Sequence, residues 1–331
     1  MRSQLALLFA ITVATAGAAP PSAELVIAVG APGDDKYRAT FGEAAEAWKT
    51  AGEEGGCEVT TIGLGETGSG DHNALQEAVT ASAGTAQTPL WIVLIGHGTH
   101  DGRDSKFNLR GEDITARDLA AWLEAVKRPV ALINTTASSA PFIKVLSGEN
   151  RVVITATKSG FEDSFARFGQ FLAAAVNAPD GDIDGDGATS LLEAFLKTSE
   201  DVAEFYEKEG RIATEHALID DNGDGLGTPA SWFRGARAIK TAKDGSSPDG
   251  SRAHQFHLVP SEEERQIGVE IRATRDALES ELFALRAKKD KMEEDTYFAE
   301  LERLARALAE LYRSSEQPIP EGDAPTSGDS P

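Results

Sequence analysis

LWIVLIGHG, residues 90–98, is the stretch on which the fold turns. Its first six positions are apolar without interruption, so both faces of the segment must be covered, as in a central strand of a parallel sheet. Working outward, ELVIAVGAPG (24–33) reads as a strand ending in a turn and CEVTTIGLG (57–65) as another. RPVALINTT (128–136) and RVVITATKSG (151–160) are further buried strands. Helical periodicity fills the gaps over 41–51, 74–83 and 115–126, the last opened by a capping box of Thr115 and Asp118. Strand and helix alternate, which predicts an α/β architecture: a mostly parallel sheet sandwiched by helices, with right-handed crossovers.

At 331 residues and 35.0 kDa the chain can bury a sizeable core in one large or two modest domains. Acidic residues (54) outnumber basic ones (32), for a formal charge of −22. Such a field predicts no nucleic-acid partner, because phosphate neutralisation needs a basic patch. A single cysteine, Cys57, excludes an internal disulfide and any zinc site built on two thiolates. Residues 1–19 carry Arg2, a short apolar run and Ala16 and Ala18 at Ala-x-Ala spacing, the order of a cleaved secretory signal. The expectation is an exported protein with no stable membrane span after signal cleavage, since a span needs about 20 apolar residues.

Two strand ends are chemically unusual. The first runs into Gly96, His97 and Gly98, where an exposed histidine stands beside a backbone N–H free to meet a substrate carbonyl. Equally, His97 could cap the strand and hydrogen-bond a neighbouring loop. The second strand ends in Asn134, Thr135, Thr136, Ala137, Ser138 and Ser139. Together with the FNLRGEDIT segment (107–115), these residues resemble the caspase-like cysteine peptidases, legumain-type enzymes in particular, over roughly residues 24–205. The resemblance implies a caspase-like domain over 24–240, with His97 as base, Gly98 as oxyanion donor and Thr136 in the place of the catalytic cysteine. The separation from His97 to Thr136 is shorter than the roughly 50 residues of caspases. Legumain-type enzymes cut after Asn or Asp.

A thiol is partly thiolate near neutrality, whereas a threonine hydroxyl needs a base in hydrogen-bond reach. The exchange of Cys for Thr therefore predicts a degenerate homologue that binds a peptide or protein as a scaffold module. The alternative is an active hydrolase using Thr136, Ser138 or Ser139 with His97.

A second signal lies at 182–193. Asp182, Asp184 and Asp186 are followed by Gly187 and, at the twelfth place, Glu193, the spacing of an EF-hand-like calcium loop, with Ala188 offering a carbonyl and Ser190 a hydroxyl or a water. Ser190 and Glu193 also spell a capping box, so a plain turn before a helix remains open. A weaker copy, Asp220, Asn222 and Asp224, has Ser231 at its twelfth place. His254 and His257 in HQFH read as a solvated or packed pair. Composition predicts a flexible connector over 241–258, a C-terminal helical hairpin or coiled coil over 259–314 that offers a surface for self-association, and a disordered tail over 315–331.

Overall fold

The computed structural model describes residues 21–65, 70–84, 88–240 and 247–315. Residues 1–19, expected as a signal, 241–246 of the expected connector and the expected tail from 316 lie outside the described residues.

In chain order the elements are β1 (Glu24–Val29), α1 (Asp35–Glu54), β2 (Glu58–Ile62), α2 (Asp71–Ala81), β3 (Leu90–Ile95), β4 (Gly98–His100), β5 (Ser105–Phe107), β6 (Ile114–Thr115), α3 (Ala116–Trp122) and β7 (Val130–Asn134). They continue with α4 (Pro141–Leu146), β8 (Arg151–Thr155), α5 (Phe168–Ala175), α6 (Leu191–Lys208), β9 (Leu218–Asp220), β10 (Thr228–Pro229), β11 (Phe233–Arg234), β12 (Arg237–Ala238), α7 (Glu262–Gln266), α8 (Val269–Ala287) and α9 (Glu294–Ser315). The main sheet runs β10-β9-β8-β7-β3-β1-β2, parallel from β8 to β2, with β9 and β10 antiparallel. The chain is thus an α/β protein whose mostly parallel seven-stranded sheet is flanked by helices.

Alternate side chains explain the two cores. Trp91, Val93 and Ile95 of β3 face Trp48 of α1 and Phe168, Phe195 and Leu172 from α5 and α6. Leu90, Ile92 and Leu94 face Leu75, Phe107, Leu119 and Phe142 on the other side. Each such fully buried large side chain contributes roughly 1.5–3 kcal/mol through apolar area removed from water. β2 is an edge strand, and its exposed Glu58, Thr60 and Thr61 suit that place.

Three features differ from the sequence expectations. α1 begins earlier, at Asp35, because Asp34 caps it by accepting the Lys36 N–H at 3.0 Å and its first turns face solvent. After His97 the chain adds a small antiparallel sheet, β4-β5-β6, which leads into α3 through the expected Thr115–Asp118 capping box. The described part of the supposed connector, 247–258, is packed: Asp249, Ala253, Phe256 and Leu258 are buried. Beyond it α8 and α9 pack through Leu285, Tyr297 and Leu304. α7 is tied to α8 by ion pairs from Glu264 to Arg272 and Arg275. No helix among the described residues is long and apolar enough to cross a membrane.

Candidate functional site

The β3–β7 pairing, in register at Leu94 and Asn134, carries the two unusual strand ends to the same edge of the sheet. They touch there. A Cβ on Gly98 would run into the Thr136 hydroxyl and the Ala137 carbonyl, so glycine is what permits the approach. The sequence-predicted His97, Gly98 and Thr136 are therefore neighbours.

No hydrogen bond joins the Thr136 hydroxyl to His97. Thr136 is 1% exposed, and its hydroxyl donates to Asn134 Oδ1 at 2.7 Å, with Ala137 O at 3.0 Å as the other acceptor. Neither a side-chain amide nor a backbone carbonyl can take a proton at neutral pH. His97 Nε2 lies 3.2 Å from Pro32 O, which only accepts, so this nitrogen carries the proton. The imidazole is half-buried in an aromatic box, edge-on to Tyr37 at 4.7 Å and Phe41 at 5.2 Å, with Phe165 at 6.1 Å. A nucleophile must meet its base at roughly 2.6–3.2 Å, and no hydrogen bond joins a histidine to Thr136, Ser138 or Ser139 among the described residues. Ser139 pairs with Thr157 Oγ1 at 3.2 Å. Ser138 stands apart: its φ of +55° is left-handed, and its buried Oγ has no partner. Its backbone is held by Glu162 O and by the Ser105 hydroxyl, itself bonded to His100 Nδ1 at 3.0 Å.

Beside the His97 box lies an open cavity of about 500 Å³, lined by Lys36, Tyr37, Phe165, Arg167, Arg211 and Thr214. The Arg167 guanidinium sits 4.5 Å over the Phe205 ring, which leaves its N–H edge available. Sequence patterning missed this basin because its cations come from three separate segments.

At the Asp-Gly loop, carboxylate oxygens of Asp182, Asp184 and Glu193 lie within 4.8 Å of one another, and they are the only such group of three among the described residues. Asp182 folds the loop by accepting N–H groups from Gly185 and Gly187 at 2.7 and 3.0 Å. The capping box also forms. Glu193, fully buried, accepts from the Ser190 N–H and hydroxyl and from the Ile183 N–H. Ser190 Oγ is therefore committed to Glu193, while the backbone of Ala188 is drawn to Asp186. Asp184 is held above the usual carboxylate range by burial and by the charges of Glu193 and Asp186. A divalent cation would relieve this repulsion, so the donor set fits a hard cation at Asp182, Asp184 and Glu193. Asp186 lies to the side. Unforeseen from sequence, His254 Nε2 reaches Asp184 at 3.3 Å and His257 Nε2 lies 3.7 Å from Asp186, so the HQFH pair packs on this loop.

No protein-family model matches this sequence, and no curated protein matches it. Among solved structures the chain is similar to the Drosophila initiator caspase Dronc, at 16% identity and a TM-score of 0.44, over 63% of this chain and 82% of that one. It is also similar to caspase-1 from Spodoptera frugiperda, at 10% identity and TM-score 0.41, over 61% and 86%. A third likeness is to protein GSU0716 from Geobacter sulfurreducens, at 12% identity and TM-score 0.40, over 61% and 93%. The chemistry of the site rests on this chain's own residues.

Among the described residues the second Asp-Gly loop gathers no three-carboxylate cluster. Asp220 accepts from Ser147 and Gly223, and Asn222 bonds Asp224 and Ser247 O. Its neighbour Asp221 instead caps the packed segment through the Gly250 and Ala253 N–H groups. Asp249 returns the bond to the Asp221 and Asn222 N–H groups. Burial and the Asp221 charge push Asp249 up to about 8, and burial pushes Asp220 to about 6. A carboxyl raised in the fold binds a proton that the unfolded chain releases near pH 4, so its contribution is full below that pH and is lost as pH rises to about 8. Urea midpoints should therefore fall between pH 5 and pH 8, and Asp249→Asn should flatten the fall. An unchanged slope in the variant would remove Asp249 as its source.

Proposed function

We propose that this chain is an exported, catalytically degenerate homologue of the caspase-like, legumain-type cysteine peptidases, retained as a calcium-stabilised module that binds a peptide or protein. One observation carries the reading. The Thr136 hydroxyl, where the family resemblance puts a cysteine, donates to the buried Asn134 Oδ1 and has no hydrogen bond to His97, whose Nε2 is held by Pro32 O. The basic basin beside His97 supports a ligand with acidic side chains, because Lys36, Arg167 and Arg211 gather there in a chain of charge −22. The converging oxygens of Asp182, Asp184 and Glu193 support the calcium.

An active hydrolase is the second reading, and Ser138 is what favours it, through its left-handed backbone and unpartnered hydroxyl. The two separate cleanly in an assay of peptides containing Asn or Asp. The degenerate reading expects no hydrolysis by wild type above that of His97→Ala, with chelator and without. Turnover that disappears in both His97→Ala and Ser138→Ala would replace it with the hydrolase.

For calcium, an affinity in the extracellular range of roughly 10⁻⁴ to 10⁻³ M means that several millimolar calcium should raise the melting temperature by a few degrees. Glu193→Gln can still complete the capping box, yet should abolish the shift. Identical melting curves with calcium and with chelator would leave the loop as a turn alone.

A further inference from the structure

A second cavity, of about 220 Å³, lies on another part of the molecule, between the β11–β12 hairpin and α8. Arg234 and Arg237 from the hairpin, Arg286, Phe283 and Ala287 from α8, and His254 line it. Arg234 and Arg237 are register partners, opposite each other across a two-strand hairpin, where like charges destabilise. With Arg286 they make three guanidinium groups, and none has an ion pair among the described residues. Asp184 is the carboxylate in the lining, and it is engaged by His254 Nε2 at 3.3 Å. The unpaired charge is therefore left for a ligand.

The remaining wall narrows the chemistry. Phe283 and Ala287 stand one turn apart on α8 and, with Ala236 and Ala238, give an apolar surface that a bare inorganic anion would not use. The volume is below the roughly 300–1,000 Å³ of sites for drug-sized ligands and suits one apolar side chain with its carboxylate. His254 Nδ1 is buried and without a partner. A ring nitrogen left without a partner at the wall of the cavity is a polar group that a ligand amide can meet.

We propose that this cavity captures the free C-terminal end of a peptide whose last residue is apolar. The arginines fork onto the terminal carboxylate, the side chain enters against Phe283 and Ala287, and the last amide N–H meets His254 Nδ1. Capture of a terminal carboxylate is a recurring mode of peptide recognition. This site is independent of the His97 basin, and either can fail alone.

The test is calorimetric titration of the full mature chain, in chelator, with acetyl-Ala-Ala-Ala-Leu as free acid, the same peptide as C-terminal amide, and 4-methylpentanoate. The acid should bind, with the amide weaker by about tenfold or more, as expected for loss of a charge-assisted bond. Arg237→Gln and Arg286→Gln should each weaken the acid by a similar factor, while Arg306→Gln on the α9 surface leaves it unchanged. Melting curves of the variants establish that they are folded. Equal binding of acid and amide, or no binding at millimolar peptide, would overturn the proposal. If 4-methylpentanoate binds as tightly as the peptide, the site takes free organic acids and the peptide assignment falls.

Discussion

The pairing of β3 with β7, both buried on each face, is the constraint from which the site follows. Because their side chains are locked into opposite cores, neither strand can slip by one residue without turning its apolar set over. The register therefore sets Gly98 against Thr136. What the site can do is then decided by the polar atoms placed on that rigid frame. Asn134, at the end of β7 and fully buried, offers its side-chain oxygen to both the Thr136 N–H and the Thr136 hydroxyl. A threonine held in this way serves the loop's structure, since its proton already has a buried acceptor.

The sheet was legible because parallel strands covered on both faces read as unbroken apolar runs, as in β3, β7 and β8. Short elements were not. β4, β5 and β6 hold two or three residues each, too few to show a period, and β9 is as short, its last residue, Asp220, being the first of the Asp-Gly motif. Segment 247–258 was misread because Gly, Ser, Pro and Asp look alike in a mobile linker and in a packed turn. The bonds that order it join Asp249 to Asp221 and Asn222, far away in sequence, where local composition carries no trace of them.

At the sites, the residue types were visible and their partners were not. His97, Thr136 and the carboxylates of 182–193 stood out by spacing, and the structure does bring Gly98 to Thr136 and Asp182 and Asp184 to Glu193. Nothing local indicated that His97 would turn to Pro32, or that His254 and His257 would pack against the acidic loop. Charge follows the same pattern. The net charge of −22 describes the chain as a whole, yet folding gathers five of its nineteen arginines around two cavities. Long-range placement of this kind turns an average property into local recognition.

The central claim is that no hydroxyl at the β7 end is activated, and covalent labelling tests it most directly. Wild-type protein incubated with a fluorophosphonate and with an acyl electrophile, then read by peptide mass mapping, should carry no adduct on Thr136, Ser138 or Ser139. The profile should be the same in His97→Ala. Stoichiometric modification of any of the three that depends on His97 would contradict the account.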